Sequence, residues 1–309
     1  MVEWRDGWPL KTRELHNHHF DSTAWNDFAF RDNDIVIATY AKAGTTWTQQ
    51  IMGQLVFGGA ADVPIHDISP WLDLRAPPTA VKHAMLAAQQ HRRFIKTHLP
   101  VDALVYSPRA KYIYIGRDGR DVVVSLYNHH ASALPPWYQM LNETPGRVGP
   151  PMPPPADSAS EAFSLWLEHD GAPFWPFFSS VRSWWEIRHL PNLLFLHYAD
   201  LKRDLAGQMR RIADFLGIHL EPAQWTNAVE HCGFEYMRAH GDYAVPAGGQ
   251  LWRDGASSFL HRGQVGRWRE LLTSEQSDAY ERRVLAELGA ECAGWLAQGG
   301  DIVDAGVPA

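Results

Sequence analysis

The clearest pattern in the chain is an apolar, β-branched run, Ile35-Val36-Ile37-Ala38-Thr39, ending in the small-residue turn Tyr40-Ala41-Lys42-Ala43-Gly44. From Thr45 the period changes. Ile51, Met52, Leu55 and Val56 share one helical face of residues 45–57, so the stretch predicts strand, loop, helix. Arg93–His98 reads as a short strand stopped by Pro100. Lys111–Ile115 reads as a strand entering the charged turn Gly116–Asp121, then a helix over 122–128 with Asp118 or Gly119 near its cap. Asn192–Tyr198 is a further buried strand. Repeated strand–turn–helix units with polar turns predict an α/β fold, with a parallel sheet joined by crossover helices.

Between these units the pattern is less regular. Residues 22–33 predict a helix or turn with Phe28 and Phe30 packed inward, and Gly58-Gly59 stops the first helix. Prolines break 61–80 into loop with short helical pieces, and 80–91 predicts a short helix. Eight prolines and two glycines across 133–157 predict a long loop of the kind that covers or forms a binding site. Ser158-x-x-Glu161 and Thr273-x-x-Gln276 read as capping boxes for helices over 162–169 and roughly 275–288. Phe177–His189 predicts a Trp-rich helix, and Leu201–Leu216 an amphipathic one ended by Gly217. Pro222 starts a helix to Cys232, 234–239 predicts a helical turn, and 241–258 reads as a flexible loop. With no repeat or linker, one domain over 1–309 is expected, its core about 30–295 and the segments 1–21 and 298–309 peripheral.

Composition narrows the class. At 309 residues and 45% hydrophobic the chain can bury a sizeable core. Two cysteines exclude a disulfide framework, the polar, His-rich stretch 1–21 has no signal-peptide core, and no run reaches membrane-spanning length; a cytoplasmic protein is expected. A net charge of −7 argues against a nucleic-acid partner but not against a small anion in a locally basic pocket.

In a parallel sheet Lys42, Lys96, His98, Arg117 and Tyr198 lie along the edge formed by the strand ends, where such folds bind ligands. Three cations and a His there imply an anionic ligand and an acid or base. The helix opening at Thr45 offers unpaired N–H groups and a positive dipole end, supplemented by the Thr45 and Thr46 hydroxyls. Lys42 precedes Gly44, so the loop is not the GxxxxGK[ST] of nucleoside-triphosphate enzymes, and only Asp118 stands at a strand end as a carboxylate for Mg²⁺. His16, His18 and His19 cluster, but no spacing fits a metal site, and none is expected. A phosphotransferase and a non-catalytic nucleotide-binding protein remain as alternatives to a transferase of another anionic group.

Five blocks then carry a family resemblance. Tyr40–Trp47 resembles the YPKSGTTW loop of cytosolic sulfotransferases that use 3′-phosphoadenosine 5′-phosphosulfate (PAPS). Ile95–Pro100 resembles their KTHLP strand, and Tyr114–Ser125 their 3′-phosphate segment, with Arg117 and Ser125 eight apart. Tyr198–Lys202 resembles their YEDMK segment and Phe259–Trp268 their RKGxxGDW segment. The blocks stand in family order and span about 35–270.

The resemblance implies a sheet of about five strands, mostly parallel and flanked by helices, with a P-loop-like phosphosulfate loop. It implies sulfuryl transfer from PAPS, leaving PAP, to a hydroxyl or amine of a small-molecule acceptor, without a metal. Carried over by position, Lys42, Ala43, Gly44, Thr45 and Thr46 would hold the 5′-phosphosulfate, with Trp47 and Phe234 against adenine and Tyr198 near it. Arg117, Ser125, His261, Arg262 and Gly263 would hold the 3′-phosphate. His98 would be the base, Lys42 would meet the leaving oxygen, and Lys96 the sulfuryl oxygens. Phe20, Trp71, Trp137 and Tyr138 are the expected pocket for an acceptor with an apolar body.

The chain departs from the family at Ala41 and Ala43 (for Pro and Ser), His261 (for Arg), Arg267 (for Asp) and Cys232-Gly233 (for Thr-Ser). The family's KxxxTVxxxE dimer segment is only loosely echoed from Arg269 to Asp278, so a homodimer is possible and not implied.

Overall fold

The computed structural model describes residues 2–260 and 262–302. His261 and the end of the expected C-terminal tail, 303–309, lie outside the described residues.

The short strands β1 (Glu3–Arg5) and β2 (Trp8–Leu10) form an antiparallel hairpin. The central sheet holds β3 (Ile35–Thr39), β4 (Phe94–Thr97), β5 (Lys111–Gly116) and β6 (Leu193–His197), in the order β4-β3-β5-β6. Every pairing in it is parallel. Side chains alternate across the sheet. Ile35, Ile37, Phe94, Ile113, Ile115 and Leu196 face one apolar layer, while Val36, Ala38, Ile95, Tyr112, Tyr114 and Phe195 face the other. Both faces are covered, which explains why the strands read as continuous apolar runs.

Helix α1 (Thr45–Val56) packs Ile51, Met52 and Leu55 onto the first layer. Each of those buried side chains contributes about 1.5–3 kcal/mol relative to exposure. The short α2 (Ile65–Ile68) and then α3 (Thr79–Ala88) follow, and α4 (Gly119–Ala131) packs Val122, Val123 and Leu126 on the opposite layer. A buried ion pair, Arg93 Nε to Asp34 Oδ1 at 2.8 Å, joins the entrances of β3 and β4 and ties their register.

The structure departs from the sequence expectations at several places. The described sheet has four strands, not five. Beyond β4 only a single parallel bridge forms, Trp71 to Lys96, with Leu72 N–H bonded to the Lys96 carbonyl at 3.1 Å. Pro70 has no N–H to continue the ladder.

The Pro-rich stretch 133–157 contains a helix, α5 (Pro135–Glu143), because Pro135 and Pro136 occupy its first turn, where no N–H is needed. The segment 201–216 is two helices, Tyr198–Arg203 and Leu205–Leu216; Asp204 leaves the helix and caps the second through the Gly207 N–H. Residues 241–258 form short helical turns, Gly241–Ala244 and Pro246–Gly249, before the helix Gly255–Leu260. The last helix runs Ser274–Gln298 with a break at Gly289, and its Thr273–Gln276 capping box forms in both directions. Within 1–21, His18, His19 and Phe20 are buried, so that end of the segment belongs to the core rather than the periphery. Among the described residues no helix is long and apolar enough to cross a membrane.

Candidate active site

Parallel pairing brings the carboxyl ends of all four central strands to one edge. Leaving β3, the chain adopts left-handed conformations at Lys42 (φ 64°) and Gly44 (φ 118°), then enters α1. A Cβ on Gly44 would lie 3.0 Å from the Tyr198 ring, so glycine meets both the backbone and the packing demand. The opening N–H groups of α1 have no intrahelical acceptor, and Gly44, Thr45, Thr46 and Trp47 line a cavity of about 680 Å³. That size falls within the roughly 300–1,000 Å³ usual for small-molecule sites.

Lys42 also lines this cavity, its ammonium 4.2 Å from the Phe259 ring centroid and 3.4 Å from the Phe259 carbonyl oxygen. Burial, followed by repulsion from Lys96 and Arg117, brings its pKa down to about 7. Lys96 is brought to about 8, chiefly by burial, and sits 4.6 Å over the Trp71 ring.

His98 follows β4. Its Nδ1 is 2.7 Å from the Thr39 carbonyl oxygen and 3.1 Å from the Thr39 hydroxyl, which is itself 2.6 Å from Thr45 Oγ1. A carbonyl only accepts, so Nδ1 carries the proton and Nε2 the lone pair. Burial and the Lys96 charge hold the imidazole pKa well below its usual value, so the ring is neutral. Trp71 (4.6 Å) and Trp175 (5.7 Å) clamp it. Asp73 supports the arrangement from below, accepting from Trp71 Nε1 at 2.6 Å and Trp25 Nε1 at 3.0 Å.

Farther along the edge Arg117 donates to the carbonyls of Lys42 (2.9 Å) and Gln264 (3.0 Å), leaving its buried Nε without a partner. Its guanidinium lies 4.2 Å over the Tyr198 ring. Ser125 faces the cavity from α4. Trp47, held by its Nε1–H on the Cys232 carbonyl at 2.8 Å, and Phe234 share a gap. The Lys202 ammonium lies 5.9 and 5.7 Å from their ring centroids. Gly263 (φ 55°) lies against Phe234, where a Cβ would come within 2.7 Å of the ring.

The cavity thus gathers Lys42, Gly44, Thr45, Thr46, Trp47, Lys96, His98, Arg117, Ser125, Tyr198, Phe234 and Gly263, together with Trp71 and Trp137. Of the other expected residues that are described, none lines it. Ala43 is buried in the turn, Arg262 is exposed, and His261 is outside the described residues. Phe20 is buried beneath Trp175 at 4.4 Å, and Tyr138 points away to bond the His130 carbonyl at 3.4 Å. The sequence reading missed His19, His129, Trp175, Lys82 and Lys202, all of which line the cavity. His129 was findable: it stands one helical turn after Ser125. Among the described residues no group of three or more His, Cys, Asp or Glu converges as a metal site.

A family model described as "Sulfotransferase domain" matches residues 32–290. The glycolipid sulfotransferase of Mycobacterium bovis (strain BCG / Pasteur 1173P2) is 32% identical over 304 residues, covering 90% of this chain and 92% of that protein. Sulfotransferase 1A1 of Rattus norvegicus is 30% identical over 270 residues, covering 84% of each. Among solved structures, retinol dehydratase in a complex with retinol and PAP superposes with a TM-score of 0.67 at 25% identity, covering 86% of this chain and 84% of that one. Mouse sulfotransferase SULT7A1 complexed with PAP gives a TM-score of 0.67 at 21% identity over 96% and 98%.

Proposed function

The chain belongs to the sulfotransferase domain family, and from that premise we propose that it moves the sulfuryl group of PAPS to a hydroxyl on an acceptor with an apolar body, with His98 as base. One observation carries the reading: a neutral imidazole, fixed with its lone pair on Nε2, lines the same cavity as Lys42 and Lys96.

The residues present suit the donor. Gly263 and Gly44 leave space that a Cβ would fill, and the unpartnered Arg117 Nε is a buried donor without an acceptor. Arg117 and Ser125 would hold the 3′-phosphate, the α1 N-terminus and Thr45 and Thr46 the 5′-phosphosulfate, and Trp47 with Phe234 the base. Bound there, PAPS supplies an electrophilic sulfur whose leaving group is a phosphate.

His98 takes the acceptor proton at Nε2 as the acceptor O–S bond forms, a contribution of about 10²–10⁴ in rate. Lys42 meets the charge developing on the bridging oxygen as the S–O bond to the 5′-phosphate breaks, a role worth about 2.7–4 kcal/mol for comparable donors. Lys96 faces the sulfuryl oxygens. Holding acceptor and donor in line adds up to about 7–11 kcal/mol.

An apolar acceptor body is supported by the lining: Trp71, Trp137, Trp175, Trp252, Met85 and Met140. The names of two similar proteins, a glycolipid sulfotransferase and a retinol-bound dehydratase, point the same way. Labelled PAPS incubated with a panel of phenols, sterols and glycolipids, without added Mg²⁺, tests the reading. Transfer to at least one apolar hydroxyl compound is expected. No transfer to any, together with phosphoryl transfer from ATP and Mg²⁺, overturns it.

A further inference from the structure

Beside the imidazole assigned to the reaction, the acceptor side of the cavity holds a second fixed imidazole. His18 Nε2 lies 2.8 Å from the Pro173 carbonyl oxygen, and His18 Nδ1 lies 2.5 Å from His19 Nδ1. The carbonyl accepts, so His18 carries its proton on Nε2 and presents a lone pair at Nδ1. His19 must then donate from Nδ1, which leaves the lone pair on His19 Nε2. Burial lowers the pKa of both rings, so both are neutral and the proton count holds. His19 lines the cavity, and no described residue bonds its Nε2.

The ring is framed by Trp175 (5.5 Å), Trp71 (5.8 Å) and Trp137 (5.9 Å). Trp71 and Trp175 are the same rings that clamp His98. Across Trp137, at 5.7 Å, stands His129, whose buried Nδ1 has no partner among the described residues. A pocket that served only an apolar body would be satisfied by apolar side chains here. Instead it places two imidazoles there, His19 on the cavity wall and His129 with a buried Nδ1 that has no partner among the described residues, polar rings that a purely apolar ligand would desolvate without bonding.

We infer that His19, oriented by His18, accepts a hydrogen bond from a second hydroxyl of the acceptor, so that the acceptor class is an apolar scaffold carrying at least two hydroxyls. One hydroxyl is presented to His98 for transfer and the other is held at His19 Nε2, with His129 as the neighbouring polar ring. The inference rests on the sulfotransferase reading for its catalytic consequence, though not for its binding consequence. His19 touches a part of the substrate that does not react, so it is a specificity residue, and no bond is made or broken there.

The test uses a naphthol and the matched dihydroxynaphthalenes, whose isomers span several spacings between hydroxyls. In wild type at least one diol should exceed the naphthol in kcat/KM, and H19F should lower that ratio by about tenfold or more, through KM rather than kcat. An equal loss for diol and naphthol, or no diol preferred in wild type, overturns the inference. A measurement on the unaltered protein guards against a variant that misfolds: ¹⁵N-histidine spectra should place the His19 proton on Nδ1 and shift Nε2 when diol, but not naphthol, joins the PAP-loaded protein. A proton on Nε2, or no shift with any diol, counts against it. Should wild type transfer sulfuryl groups to nothing, the enzymatic reading fails by itself. Calorimetry of the same compounds on the PAP-loaded protein then decides the His19 assignment: diol binding tighter than naphthol only with His19 present supports it, and equal or absent binding overturns it.

Discussion

His98 donates from Nδ1 to the carbonyl oxygen of Thr39 at 2.7 Å, so the strand that leads into the proposed phosphosulfate loop also fixes the tautomer of the proposed base. Base and loop are thereby positioned by one backbone segment, and the Thr39 hydroxyl extends the link to Thr45 at the start of α1. On the proposed mechanism, the two groups that in-line transfer must hold in register are carried by adjacent parallel strands.

Replacing the base separates chemistry from binding. His98→Ala is expected to lower kcat by about 10²–10⁴-fold while the dissociation constant of PAP changes by no more than a few fold. Steady-state kinetics with calorimetry of PAP reads both. A large loss of PAP affinity would sink the base assignment.

Lys42 predicts a proton-linked binding step. With its pKa near 7, most free protein carries Lys42 neutral at pH 8. A bound 5′-phosphate favours the ammonium and raises the pKa again. Between pH 7 and 9 the complex therefore holds more protons than the free protein, and PAP binding takes up about one proton at pH 8, less at pH 6. Calorimetry in buffers of different ionisation enthalpy measures the uptake, and Lys42→Met should remove it. Proton release on binding would contradict the assignment. The same titration makes kcat/KM for PAPS fall above pH 7, because that parameter reports the free enzyme.

Which of these features were legible from sequence follows from how local each signal is. The strands and the loop were readable because β-branched runs and the Gly44 turn act over a few residues. The acceptor wall was not, because its members are selected by direction. His19 and Phe20 are neighbours in a tight turn closed by the Asn17 N–H on the Phe20 carbonyl, and that turn sends His19 to the cavity and Phe20 to the core beneath Trp175. Trp137 and Tyr138 follow one another on α5, and the helical turn between them sends only Trp137 into the cavity. Trp175 lies in a proline-interrupted segment that reads as a break, and nothing in its neighbours indicates that it stacks on His98. The run 135–143 was misread because proline density suggests loop, whereas prolines in a first turn begin a helix.

Asp73 predicts a coupled loss of stability and rate. It is fully buried and accepts both indole N–H groups, from Trp25 and Trp71, while burial raises its pKa. Asp73→Asn sets an amide donor against one of those indoles. The expected cost is about 1–3 kcal/mol for the unsatisfied pair. Trp71, released from its partner, would no longer hold Lys96 and His98, so kcat should fall by about tenfold. Thermal melts and single-turnover rates test the two arms, and a variant as stable and as fast as wild type would remove Asp73 from the argument.

Gly263 separates backbone strain from contact with Phe234, the ring proposed to face the nucleotide base. Its φ is 55°, and a Cβ there would come within 2.7 Å of Phe234. Gly255 has a similar φ of 64° with nothing within 4 Å of an added Cβ. Both alanine variants bear the left-handed cost of about 1–2 kcal/mol, but only Gly263→Ala displaces Phe234 from the gap it shares with Trp47. PAP affinity is therefore expected to weaken by about tenfold in Gly263→Ala and by no more than about twofold in Gly255→Ala. Adding Phe234→Ala to Gly263→Ala should cause little further loss, since the ring is already displaced. Equal PAP affinities in the two glycine variants would mean that Phe234 does not face the nucleotide.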